Sequence, residues 1–90
     1  MKKDELAQIL AEKFDLSKRQ AVEILNTITE AITQALKNND VVIWTGLGRF
    51  RVKTRKARTA INPRTGERIE VPEKRVPHFS ASKELKEAVK

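Results

Sequence analysis

From Arg49 to Arg75 the chain runs for 27 residues that cannot build a core of their own, carrying ten basic groups against three acidic ones. Any fold must therefore be made largely by the other 63 residues, which hold nine groups of each sign and sum to zero. The entire formal charge of +7 lies in the one segment, and Asn62-Pro63-Arg64-Thr65-Gly66 forms a sharp turn near its midpoint. A cationic stretch that reverses on itself and has little to bury needs a polyanion to lie against. Nucleic acid is the first candidate.

Ninety residues make one small domain, near the lower end of what a single core can hold together. The chain is rich in candidates for that core, all but Phe50 outside the basic segment: Leu6, Ile9, Leu10, Phe14, Leu16, Val22, Ile24, Leu25, Ile28, Ile32, Leu36, Val41, Ile43, Phe50 and Phe79. No cysteine is present, so a disulfide cannot make up a shortfall. A homodimer sharing one core solves the problem. Met1 leads into a charged amphipathic helix rather than a signal peptide, and no long apolar stretch follows. The expectation is a soluble intracellular protein with no membrane partner.

Apolar residues at 6, 9, 10 and 14 predict a first helix over Asp4 to Phe14. Ser17 and Gln20 have the spacing of a capping box, with Leu16 and Ala21 as its hydrophobic staple. A second helix is expected from Lys18 to Lys37, about 30 Å long. Its apolar positions cover a wider arc than one short partner helix can hide, so region 1–38 reads as the dimerisation unit. Asn38-Asn39-Asp40 should end the helix, and Val41 to Thr45 reads as a strand. Gly46-Leu47-Gly48 then turns into an alternating strand, with Phe50 and Val52 on one face and Arg49, Arg51 and Lys53 on the other.

A β-sheet is thus expected over 41–79, with an arm over 53–76 and a last helix within 82–90, capped by Ser82. The arm should extend about 25–30 Å at 3.3 Å per residue, ordered at its base and mobile towards Pro63. Pro72 and Pro77 would keep the returning strand from pairing further.

The arm carries the candidate site. Lys53, Arg55, Lys56, Arg58, Arg64 and Arg68 suit phosphates lining a groove, and arginine also suits a narrow minor groove. Pro63 is either a turn former or a rigid wedge that unstacks a base step, with Ile61 enlarging it and Asn62 setting the tip. Lys74, Arg75, Lys83 and Lys86 form a second basic group that can hold a duplex against the body, with Lys3 weaker. Each is also an ordinary surface charge when taken singly.

Enzyme readings are poor. His78 is the only histidine, and the carboxylates show no paired or metal-ligand arrangement, so neither metal nor other cofactor is expected. His78 reads as a strand-end residue near Phe79, and Trp44 as a core or hinge aromatic.

Across essentially all 90 residues the chain resembles the bacterial histone-like DNA-binding family of HU and integration host factor, most closely an HU protein. The resemblance rests on Leu16-Ser17, Gly46-Leu47-Gly48-Arg49-Phe50, Arg55, Arg58, the Asn62–Gly66 tip, Val76-Pro77, Phe79 and Lys83-Glu84-Leu85-Lys86. It implies an α+β fold: an intertwined homodimer with a helical base, an antiparallel β-sheet saddle and two protruding β-ribbon arms. Leu25, Ile28, Ile32, Leu36, Phe50 and Phe79 would belong to the shared core. Pro63 would be the intercalating residue, and the arms would follow the minor groove of double-stranded DNA, including bent, nicked or junction DNA, in the cytoplasmic nucleoid. Ala60 and Ile61 stand where a glycine and a basic residue are usual, and Ser80-Ala81-Ser82 where a lysine and Pro-Gly are. The alternatives are a sequence-preferring subunit of the integration-host-factor type, an RNA-associated basic protein, and an assembly protein docking on an acidic partner.

Overall fold

The computed structural model describes all 90 residues. Helices α1 (Lys3–Phe14) and α2 (Lys18–Lys37) lead into strands β1 (Val42–Trp44), β2 (Gly48–Arg55), β3 (Arg58–Ile61), β4 (Arg68–Val71) and β5 (Lys74–Ala81). Helix α3 (Lys83–Ala88) closes the chain. The strands make an antiparallel sheet in the order β1-β2-β5 and a separate two-stranded ribbon of β3 and β4.

Local chemistry sets the helix ends. Asp15, at φ 54°, stops α1 in a left-handed turn. Two residues on, Ser17 Oγ accepts from the Gln20 N–H at 3.1 Å while Gln20 Oε1 accepts from the Ser17 N–H at 2.9 Å. That is the reciprocal box expected from sequence. At the far end of α2, Asn39 is left-handed at φ 58°. The Asp40 N–H donates to Ala35 O at 2.9 Å and the Asn39 N–H to Leu36 O at 3.1 Å, which together make a Schellman ending.

The first strand is shorter than expected. Asp40 Oδ1 takes the Val41 N–H at 2.9 Å, so β1 begins at Val42. It ends at Trp44, whose carbonyl accepts from Leu47 N–H at 2.9 Å to close the turn. The last helix runs only to Ala88, with Val89 as its C-cap. Gly48 admits no side chain, since a Cβ there would lie 2.3 Å from Ser80 O and 2.8 Å from the Phe79 ring.

Very little of this chain is covered by itself. Only Ala7, Ala21 and Gly48 are buried. The chain exposes 7937 Å², against about 5,400 Å² for a compact monomer of its mass. Its radius of gyration is 19.1 Å, where a compact 90-residue chain has about 12 Å. Part of the excess is the arm. The rest is apolar surface on the helices and the sheet: Leu25, Ile28, Ile32, Leu36 and Phe50 are only half-buried. Phe79 remains 41% exposed although its ring lies 4.9 Å from that of Phe50.

Candidate nucleic-acid interface

The register of the long hairpin decides which way each charge points. Phe50 pairs with Phe79, Val52 with Pro77 and Thr54 with Arg75, so these residues share one face. Leu36 and Thr33 of α2 border the same cleft as Val52 and Pro77, which makes this the body side. The opposite face carries Arg49 opposite Ser80, Arg51 opposite His78, Lys53 opposite Val76 and Arg55 opposite Lys74. Five of those eight side chains are cationic, and the face looks away from the helices. Lys83, at the start of α3, borders one shallow depression with Arg49 and Ser80 and so extends the basic surface.

Pairing lapses after Arg55 and Lys74 and resumes at Arg58 and Val71. Both strands skip the same number of residues, so the register continues without a bulge. Pro72 explains the gap, because it has no N–H to offer the ladder. The arm expected over 53–76 is therefore two ribbon segments, not one. Arg55, Lys56, Arg58 and Lys74 surround the crevice where they meet.

Beyond the gap, Ala60 pairs with Ile69 and Ile61 with Arg68. Arg58 and Arg68 consequently project from opposite faces, which suits a groove with phosphates along both walls. At the tip, Asn62 Oδ1 accepts from the Arg64 N–H at 2.9 Å, and Asn62 O accepts from the Gly66 N–H at 2.8 Å. Gly66 supplies the positive φ, 73°, that a bulkier residue would adopt under strain. This closed loop holds Pro63 exposed at the end, beside an Ile61 that is 66% exposed.

The arm cations have almost no partners within the chain. The only ion pairs are Arg19–Glu23 at 3.7 Å and Lys90–Glu87 at 3.9 Å, both on helices or the C-terminus. Among the ten basic residues from Arg49 to Arg75, Arg75 alone makes side-chain hydrogen bonds, and these run to the end of α2. Nine cations per chain are left uncompensated by any internal contact. Lys3 donates to Asn26 Oδ1, tying α1 to α2, while Lys86 is exposed on α3. One N–H at the start of α3 is already taken, as Ser82 Oγ accepts from Leu85.

Arg49 and Arg51 belong with Lys53 on the outer face, although they were not among the expected ligands. The alternation of β2 contained that signal. His78 sits in mid-strand opposite Arg51, not at a strand end. Partial burial in the sheet, followed by the charges of Lys53 and Arg51, lowers its pKa from the usual 6.5. An unfolded chain would thus take up its proton first as the pH falls. The stability that neutral His78 contributes is fully present above 6.5 and is lost as the pH drops through the lowered folded value. An NMR titration of this single imidazole should give a midpoint below 6.5 in the folded protein, rising towards 6.5 in urea. An unshifted folded midpoint would mean that neither burial nor the neighbouring Lys53 and Arg51 act on the ring.

A family model described as bacterial DNA-binding protein matches residues 1–90. The chain belongs to this HU and integration host factor family. It is 44% identical over 89 residues to DNA-binding protein HU 1 of Bacillus subtilis, covering 99% of this chain and 97% of that protein. To DNA-binding protein HU-alpha of Vibrio proteolyticus it is 47% identical over 90 residues, the full length of both. Among solved structures, an Anabaena HU–DNA cocrystal matches with a TM-score of 0.87 at 43% identity, covering 99% of this chain and 97% of that one. HU from Thermotoga maritima, as the V42I mutant, matches over the whole of both chains with a TM-score of 0.72 at 33% identity. As a member of this family the chain is a homodimer.

Proposed function

We infer that this protein is an architectural DNA-binding protein that engages duplex DNA with little sequence preference, wraps it with two arms and bends it. It thereby contributes to compaction of the bacterial nucleoid in the cytoplasm. The observation that carries this reading is the set of nine cations per chain, on the outer sheet face and the arm, that have no internal partner. Affinity then comes chiefly from release of counterions held by the phosphates. No helix is presented for a major groove, so base reading is weak and preference arises from how easily a sequence deforms.

Lys53, Arg55, Lys56, Arg58, Arg64, Arg68 and Lys74 follow the phosphates, Lys83 and Lys86 extend the contact along the body, and Asn62 shapes the tip. Pro63 is the wedge, with Ile61 lending apolar surface beside it. Unstacking a step costs a few kcal/mol, which the phosphate contacts offset. Nicked, bent or junction DNA has already met part of that cost and should bind more tightly. Structured RNA suits the arms less well, because its minor groove is wide and shallow.

Pro63→Ala tests the wedge. Energy transfer across a short end-labelled duplex should report a smaller bend, with a lesser change in affinity. Equal bend angles for the two proteins would leave Pro63 as a turn former only.

A further inference from the structure

Arg75 stands apart from every other cation of the basic segment. Its register partner is Thr54, which places it on the body side with Val52 and Pro77, while its neighbour Lys74 faces outward with Arg55. Its Nη2 donates to Leu36 O at 3.1 Å, Lys37 O at 3.4 Å and Asn39 Oδ1 at 2.6 Å. We propose that Arg75 is a positioning residue that pins the root of the arm to the end of α2 and so sets the angle at which the arm leaves the base.

The receiving end is built for a guanidinium. The last carbonyls of a helix lack intrahelical partners and carry the negative end of its dipole, so a cation is favoured there. The Schellman ending answers part of that need, because the Asn39 N–H donates to Leu36 O. Left-handed Asn39, at φ 58°, presents its side-chain oxygen as a third acceptor beside the two carbonyls. Nη2 carries two hydrogens for these three acceptors, so one hydrogen is shared between neighbouring acceptors.

The position gives the contact leverage. Arg75 follows Lys74, the first residue of β5 and the first paired after the gap in the ladder, so the pin lies where the arm rejoins the saddle. No other side-chain hydrogen bond joins the strands to the helices. An angular error at this root is multiplied along the arm to Pro63. The inference rests on the DNA-bending reading for its purpose, but its geometry is independent of DNA.

The test uses the homodimer without DNA first. The chain has no cysteine, so Thr65→Cys carries a single spin label at each tip, and pulsed EPR reads the tip-to-tip distance. Arg75→Ala should broaden that distribution relative to the parent. Asn39→Gly, which keeps the left-handed backbone and changes no charge, should broaden it as well. Broadening in Arg75→Ala alone supports a pin made through the carbonyls. Lys74→Ala, the outward-facing control, should leave the distribution unchanged.

Salt titration on a duplex supplies the second readout. A phosphate ligand at position 75 in both chains would lower the slope of log affinity against log salt by about 1.8 when removed. A positioning residue leaves the slope unaltered while the bend angles spread. An unchanged tip-to-tip distribution in both variants, or a slope loss of about 1.8 in Arg75→Ala, would overturn the proposal. If the parent failed to bend DNA, the functional reading would fall while the EPR result still decided whether Arg75 pins the arm.

Discussion

Phe79→Ala is expected to unfold the dimer at concentrations where the parent stays assembled. In one chain Phe79 lies 4.9 Å from Phe50 between ring centres and is still 41% exposed, which leaves its outer side free to be covered by the second chain. Removing a fully packed phenylalanine costs roughly 3–5 kcal/mol, and the dimer loses two of them. Small domains have only about 5–15 kcal/mol in hand, so the loss takes most of it. Urea melts at several protein concentrations would measure this. The midpoint of the parent should rise with concentration, as mass action requires of a folded dimer. A loss below about 1 kcal/mol, with a midpoint independent of concentration, would mean that the ring packs only against its own chain.

A comparably large effect is expected from salt. Nine basic side chains from Arg49 to Lys74 have no internal partner, and the homodimer doubles them. If about six to ten meet phosphates at once, affinity should fall roughly 10³–10⁵-fold between 50 and 200 mM salt. Replacing Arg55, Arg58 and Arg68 together with glutamine removes up to six charges per dimer and should flatten that slope by up to about 5. The loss should be similar on unrelated sequences, because phosphate contacts carry no base identity. A shallow slope in the parent, or a loss confined to one sequence, would point to base reading instead.

Much of this was legible in the sequence because it is decided locally. The Ser17–Gln20 box, the stop at Asn38-Asn39-Asp40 and the glycine-closed tip each depend on residues within a few positions of one another. The alternation from Arg49 to Lys53 likewise assigned the two faces correctly. What was not legible depends on who lies opposite whom. Pro72 was read as protecting an edge, but only the cross-strand register shows that it opens the ladder beside Ala57 and divides the arm. Arg75 looked like one more arm cation, since nothing along the chain reveals that position 75 meets residues 36, 37 and 39. His78 looks like a strand end along the chain for a related reason, yet β5 runs on through it to Ala81.

The most direct measurement removes the arms and keeps the base. Arg55 and Lys74 face each other across the ladder, so residues 56–73 can be replaced by Asn-Gly, a two-residue turn suited to such a pair. The shortened protein should remain a dimer with little change in its urea melt, because the deleted segment adds nothing to the interior. It should bind duplex DNA far more weakly and leave its end-to-end distance that of the free duplex. A shortened dimer that still bent DNA as the parent does would show that curvature comes from the base and not from the arms.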